Sequence, residues 1–193
     1  MSHKLIVFMH SSAETFNGAI LRQVTGIFDE QQVSYDVRML HELSFDPVLS
    51  LEDYQNSLEG HYSAFMEQEH EYWRKADEII VLFPLWWGFF PALGKGYLDQ
   101  VLSYGFAYEL EGESPIAAAL KDKQMSIILT SGSPYEEMKA NGLHDQLIDT
   151  IDRTIIQFCG MTMNRVVHLG DVIQANDQEK QAMFRQVRET FSK

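Results

Sequence analysis

Imidazoles, hydroxyls and paired tryptophans gather in three short segments of this chain. His10–Asn17 (HSSAETFN) offers His10, the hydroxyls of Ser11, Ser12 and Thr15, and the backbone N–H groups of a helix start. Such a set can receive a phosphate without a cationic side chain. Taken alone it has two equal readings, because Thr15 or Asn17 could simply cap the helix. Neither G-x-x-x-x-G-K-[ST] nor G-x-G-x-x-G is present, so neither nucleotide fingerprint applies. Pro84–Pro91 (PLWWGFFP) is the strongest feature. Successive side chains of an extended segment face opposite ways, so Trp86 and Trp87 cannot both point inward. Four aromatic residues between two prolines suit a planar heterocycle better than core packing. Thr130–His144 (TSGSPYEEMKANGLH) brings Ser131, Gly132 and Ser133, small enough for close backbone approach, and His144 near a helix start. Each part of this third segment is weak alone, since small-residue loops are commonly turns.

Other reactive residue types lack the spacing that chemistry needs. His61 and His70 are not an i, i+4 metal pair, and the acidic residues of Glu67–Glu71 (EQEHE) read as a solvated helix face, so no metal site is expected. Cys159 sits at a helix end without an activating partner and reads as a structural thiol. Ser131 lies in TSGS, not in a G-x-S-x-G elbow, which argues against a serine hydrolase.

The three segments matter together only if the fold gathers them. Lys4–Met9 is a continuous apolar strand of the kind buried on both faces. A helix from Asn17 to about Gln31 follows, with Ile20, Leu21, Val24, Ile27 and Phe28 on one face. Tyr35, Val37 and Met39 alternate as a second strand, and Leu40–Gly60 reads as a long loop tethered by Phe45, Pro47 and Leu49. A helix over Tyr62–Lys75 leads to the strand Glu78–Pro84. Pro91 suits a helix start, with Leu98, Val101 and Leu102 facing the core. Gly105–Glu113 reads as a loop or hairpin and Gln124–Thr130 as the fourth strand. The helix Leu143–Phe158, striped by Leu147, Ile148, Ile151, Ile155 and Phe158, stops at Gly160. Met161–Leu169 is the fifth strand, and the helix Asn176–Phe191 turns Met183, Phe184, Val187 and Phe191 inward.

Alternating strands and helices predict an α/β fold, a doubly wound five-stranded parallel sheet of flavodoxin-like order 2-1-3-4-5 with helices on both faces. No linker or repeat divides residues 1–193, so one domain is expected. Such sheets bind ligands beyond the carboxyl ends of the strands, where all three segments fall.

Composition narrows the partners. Lys and Arg number 15 against 28 Asp and Glu, a net charge of −13 without a basic cluster, so nucleic acid and anionic membrane surfaces are not expected to bind. With 45% hydrophobic residues, the 193-residue chain has ample material for a core. Its most apolar stretch, Ile79–Leu93, is too short and proline-broken for a membrane span. A single cysteine and an N-terminus without signal-peptide features lead to the expectation of a cytoplasmic protein.

With these residues in view, the chain resembles the flavodoxin-like NAD(P)H:quinone oxidoreductases, which include the mammalian quinone reductases and ancillary proteins of glutathione-gated potassium efflux. The resemblance runs from Leu5 to Gly160. It is carried by HSSAETFN, by FDPVLSLEDY at Phe45–Tyr54, by the segment Ala76–Tyr108, and by the strand-4 loop with Gly132 and His144. It implies a flavin whose phosphate is held by His10, Thr15, Phe16 and Asn17. Its isoalloxazine would contact Pro84, Leu85, Trp86, Trp87 and Gly88, with Thr130, Ser131, Gly132 and Ser133 along the other edge. Nicotinamide and then quinone would lie near Trp87, Phe106, Tyr108 and His144, often helped by a second subunit, with His144 as the catalytic side chain. Hydride would pass from NADH or NADPH to flavin N5 and on to a quinone or nitroaromatic acceptor, in ping-pong order. Many members carry a tyrosine six residues before the histidine, where this chain has Met138, leaving His144 alone unless Tyr135 reaches over. Tyr97 and Gln100 likewise replace a usual tryptophan and arginine.

The expected cofactor is FMN, with FAD as the alternative, because little chain follows the last helix for an adenine site. A homodimer is expected. The alternative function is a regulatory flavoprotein subunit beside a potassium-efflux membrane transporter; an electron-carrier flavodoxin fits less well with the nicotinamide-side aromatics and His144.

Overall fold

A computed structural model describes residues 2–112 and 114–192. Glu113, within the expected hairpin, lies outside the described residues. In chain order the elements are β1 (His3–Phe8), α1 (Phe16–Glu30), β2 (Ser34–Met39), α2 (Leu51–Leu58), α3 (Ala64–Lys75), β3 (Glu78–Pro84) and α4 (Ala92–Val101). They continue with β4 (Tyr108–Glu111), β5 (Ser114–Ala117), β6 (Gln124–Thr130), α5 (Tyr135–Ala140), α6 (Leu143–Ile151), β7 (Thr162–Leu169) and α7 (Asp177–Phe191).

Five strands form one sheet in the order β2-β1-β3-β6-β7, all parallel. With the small antiparallel hairpin β4–β5 set aside, this is the expected order 2-1-3-4-5. Ile6 pairs with Val37 on one side and Ile80 on the other, and Val81 pairs with Ile127. The strand period of two then divides the core. Leu5, Val7, Ile79, Val81 and Ile127 pack with Trp73, Tyr97, Val101 and Ile151 on one face. Ile6, Phe8, Ile80 and Leu82 pack with Ile20, Val24, Val187 and Phe191 on the other. Each such fully buried aliphatic side chain contributes about 1.5–3 kcal/mol. No helix among the described residues is long and apolar enough to cross a membrane.

Local readings differ from the structure in three places. Leu40–Gly60 is not a plain loop, since it contains a 3₁₀ turn at Leu40–Glu42 and the helix α2. Ser50 caps α2 by accepting the Asp53 N–H at 2.9 Å. The apolar side chains Leu51, Tyr54 and Leu58 are exposed, so α2 lacks the buried stripe by which periodicity finds helices. The helix expected over Leu143–Phe158 ends its regular turns at Ile151 and continues as a π-helical turn over Asp152–Ile156. That extra residue per turn rotates the stripe: Leu147 and Ile151 are buried, Ile148 and Ile155 are half-buried, and Phe158 is exposed. Gly160 then closes the segment with φ of 72°, the left-handed conformation glycine adopts freely.

The third difference is in EQEHE. Glu67, Gln68 and Glu71 are solvated, but Glu69 and His70 are buried. Glu69 receives the Arg38 guanidinium on both oxygens, at 3.0 and 2.5 Å, and the Tyr97 hydroxyl at 2.8 Å. Its partners lie on β2 and α4, far away in sequence, which is why the segment alone reads as a surface.

Candidate functional site

The carboxyl ends of β1, β3, β6 and β7 bring the three segments side by side. The loop after β1 is shaped by Gly18, where a Cβ would lie 1.8 Å from the Ala13 carbonyl oxygen. This contact folds the loop back over the start of α1. Thr15 caps the helix by accepting the Gly18 N–H at 3.2 Å, so the capping reading of Thr15 holds. The N–H groups of Phe16 and Asn17 stay without helical acceptors. Ser12 N–H donates to His10 Nδ1 at 3.2 Å, which leaves His10 Nε2 as the protonated nitrogen. Burial holds the His10 imidazole below its usual range, so it is a neutral donor at pH 7. Arg22 reaches this loop at the Ala13 carbonyl, 3.4 Å away.

Asn17 ties the loop to the sheet. Its Oδ1 accepts the Thr130 hydroxyl at 2.9 Å, while its buried Nδ2 has no hydrogen-bond partner. A buried amide left unpaired costs about 1–3 kcal/mol, so this donor fits a ligand acceptor at the helix start. An anionic oxygen there would meet Asn17 Nδ2, two free backbone N–H groups and the helix dipole.

The loop after β3 is a two-residue reversal. Trp86 and Phe89 exchange backbone hydrogen bonds, each 3.2 Å, around Trp87 and Gly88 with φ of 52° and 80°. Positive φ at both central residues is the type I′ geometry usually given to Asn-Gly. A bulky side chain in that conformation marks strain of the kind retained at functional sites. The turn presents Trp87 wholly to solvent, at 104% relative exposure, and Trp86 about half. Both indoles therefore stay out of the core. Trp86 also approaches His10, ring centroids 5.6 Å apart, which joins the first two segments. Leu85 N–H donates to the Thr130 carbonyl at 2.7 Å and joins the second to the third.

In the third segment Gly132 is needed for space: a Cβ there would approach Ile173 Cδ1 to 3.1 Å. Ser131 and Ser133 bond to the turn after β7 through Val172 N–H and Asp171 N–H. His144 is buried, and it is not alone. Its Nδ1 lies 2.9 Å from Nδ1 of His168, whose Nε2 lies 2.7 Å from the Ser131 hydroxyl. Tyr135 places its ring edge-on to both imidazoles, at 5.2 and 5.4 Å. Met138 is buried and supplies no polar partner. Burial lowers His144, assisted by Lys139, and pushes His168 down to about 4. His168 was missed by sequence reasoning because it sits in an apolar strand with no motif of its own. Only the strand order places it opposite Ser131.

Phe106 and Tyr108 are placed differently. Phe106 is buried and stacked on His70 at 3.7 Å between centroids, with Arg74 at 5.1 Å. Tyr108 packs edge-on to Tyr104 and Phe158. Within one chain their contacts run to α3, α4 and the turn before β7, not to the three loops. Cys159 is buried and pushed up to about 12 by that burial, which keeps the thiol protonated. Among the described residues no cluster of three or more metal-ligating side chains occurs.

Comparison with known proteins agrees with this arrangement. A family model described as a flavodoxin-like fold matches residues 2–191. A Haemophilus influenzae protein named as an uncharacterized NAD(P)H oxidoreductase is 38% identical over 186 residues, covering 95% of this chain and 91% of its own. The rat ribosyldihydronicotinamide dehydrogenase [quinone] is 25% identical over 197 residues, covering 91% and 85%. Among solved structures, the NAD(P)H:quinone oxidoreductase of Methanothermobacter marburgensis superposes with a TM-score of 0.87 at 23% identity, covering 100% of this chain and 96% of that one. A Bacillus anthracis FMN-dependent NADH-azoreductase in complex with FMN gives 0.80 at 14% identity, covering 100% and 98%. At these identities the two structures speak for the fold.

Proposed function

This chain belongs to the flavodoxin-like NAD(P)H:quinone oxidoreductase family, and from that premise we propose that it binds FMN and reduces a quinone or related aromatic acceptor with NADH or NADPH. The observation that carries the reading is the meeting of the unpaired Asn17 Nδ2, the exposed Trp86–Gly88 turn and the His144–His168 pair at one sheet edge. A bound flavin supplies the two-electron chemistry, accepting hydride at N5 from the nicotinamide and passing it to the acceptor in ping-pong order.

The chain's own residues hold and orient. Asn17 Nδ2, His10 Nε2 and the N–H groups of Phe16 and Asn17 bind the phosphate, with Thr15 fixing the helix start. Pro84, Leu85, Trp86, Trp87 and Gly88 lie along one side of the ring system, and Thr130, Ser131, Gly132 and Ser133 along the other. Trp87 stacks on the nicotinamide or the acceptor and shields the reacting faces from water. His144 holds a proton at the polar end of the slot. Neutral donors at a helix start favour a monophosphate, which supports FMN over FAD.

The unit at work is a homodimer in this reading. Val48, Leu51, Tyr54 and Leu58 form an exposed apolar stripe on and before α2, and Phe106 and Tyr108 do not reach their own chain's loops. A second subunit provides both a cover for the stripe and a route for those rings to a site. The test is direct: the purified protein should be yellow, release FMN by mass, and oxidise NADH or NADPH with a soluble quinone. A colourless protein that binds no added FMN refutes the proposal.

A further inference from the structure

The hydrogen bonds around His168 fix which nitrogen of His144 carries its proton. The Ser131 hydroxyl has one hydrogen and donates it to the Ser133 carbonyl at 2.7 Å, since a carbonyl can only accept. Ser131 Oγ therefore accepts from His168, and the proton of His168 sits on Nε2, 2.7 Å away. That leaves a lone pair on His168 Nδ1. The 2.9 Å contact between the two Nδ1 atoms can then be a hydrogen bond only if His144 Nδ1 is the donor. A neutral imidazole has one ring proton, so His144 Nε2 is bare. Nε2 makes no hydrogen bond among the described residues and is not among the sealed, unpartnered atoms of the interior. It is open on the side of the crevice. Free histidine in water prefers the opposite tautomer, so the protein imposes this one.

We propose that Ser131 and His168 act as positioning residues that lock His144 in its Nδ1–H tautomer and make Nε2 the atom that takes up and releases a proton. The assignment rests on the proposed function for the place where that proton is used. It adds a residue, His168, and a direction. When the pair gains one proton, protonating His168 Nδ1 would set two donors face to face, whereas protonating His144 Nε2 leaves every existing hydrogen bond intact. The imidazolium therefore forms on His144, with His168 still accepting its Nδ1–H. Only the Nε2–H bond forms and breaks; no electron pair passes along the relay. Near-parallel rings, 18° apart, and the Tyr135 edge keep both imidazoles in register. The other charged groups facing the pair are Lys139 and Asp145, which bridge to each other at 2.5 Å. This arrangement orients His144 in a chain that has Met138 where the resemblance calls for a tyrosine.

The experiment is a long-range proton–nitrogen correlation of the histidine rings in the full-length ¹⁵N-labelled protein at neutral pH, before and after adding FMN. The two residues are assigned by substitution. His144 should show a protonated Nδ1 and bare Nε2, and His168 the reverse. His168→Leu should switch His144 to the Nε2–H form, while His168→Gln, whose carbonyl can accept from Nδ1, should restore the wild-type pattern. Thermal melts show that each variant is folded. In turnover, His168→Leu should lower kcat roughly tenfold or more and move the acid limb of its pH profile, with the nicotinamide KM unchanged, and His168→Gln should recover both. A His144 that is Nε2–H in the wild type, or that keeps Nδ1–H in folded His168→Leu, overturns the lock. The expected tautomers in a chain that binds no flavin would overturn the proposed function alone.

Discussion

Trp87 combines two properties that pull in opposite directions, and replacing it by asparagine separates them. In this turn φ of Trp87 is 52°, a region that costs an L-residue roughly 1–2 kcal/mol. Asparagine tolerates it, and Asn-Gly is the preferred pair for a type I′ reversal. The indole is fully exposed within the chain, so its loss forfeits no intramolecular burial. Trp87→Asn should therefore stabilise the ligand-free protein by about 1 kcal/mol, which for a chain of this size raises Tm by about 2–4 °C. The same change removes a stacking face worth about 1 kcal/mol or more. FMN or acceptor affinity should fall about fivefold or further, since about 1.4 kcal/mol corresponds to tenfold. Thermal melting without ligand, flavin-fluorescence titration and the acceptor KM measure the two sides, at matched oligomeric state by size-exclusion chromatography. A Tm lowered by the asparagine at unchanged oligomeric state would show that the indole packs rather than strains, and the reasoning would be wrong.

Two glycines of α1 should respond to alanine with opposite signs. Gly18→Ala drives a Cβ into the Ala13 carbonyl and should cost about 2 kcal/mol or more together with FMN binding, whereas Gly26, with open space around it, should gain about 0.5–1 kcal/mol; equal melting shifts would contradict the loop geometry. Asn17→Asp replaces a donor by a negative charge and should weaken FMN far more than riboflavin, which lacks the phosphate; equal losses would move the phosphate elsewhere. His70 and His168 are both pushed down to about 4 by burial from an ordinary 6.5. Below 6.5 the unfolded chain binds protons that the folded chain refuses until about 4, so stability is complete above pH 6.5 and falls through that window by about 3 kcal/mol per group; urea melts of equal midpoint at pH 7 and pH 4.5 would refute it.

What the sequence made legible follows from which interactions are local. The strands β1, β3 and β6 and the helices α1, α3 and α7 announce themselves because each buries a face whose period is visible along the chain. The turn at Trp87–Gly88 is legible for the opposite reason, as two large rings placed where no core can take both. Helix α2 was hidden because its apolar side chains Leu51, Tyr54 and Leu58 face outward, leaving only Ser50 and Asp53 as a capping signal. Glu69 and His168 were hidden more deeply. Their roles depend on Arg38 and Tyr97 in one case, and on Ser131 and His144 in the other, all brought in by strand order. Motifs show the residues that bear chemistry; the partners that fix proton and charge on them come from the sheet.

The acidity of the chain bears on how the phosphate is held. With a net charge of −13, the protein repels a dianionic ligand at long range, and the loop after β1 answers mainly with neutral donors: Asn17 Nδ2, His10 Nε2 and backbone N–H groups. One guanidinium, Arg22, touches that loop, and at a carbonyl. Added salt shortens the Debye length from about 10 Å at 0.1 M to about 3 Å at 1 M, which screens the repulsion while leaving buried short-range donors almost untouched. FMN affinity should therefore hold or rise when KCl is increased from about 20 to about 500 mM. A site built on lysines and arginines behaves in the opposite way. Titration of the apoprotein at both salts decides between them, and a tenfold loss of affinity at the higher one would show that cations, rather than the helix start and Asn17, carry the phosphate.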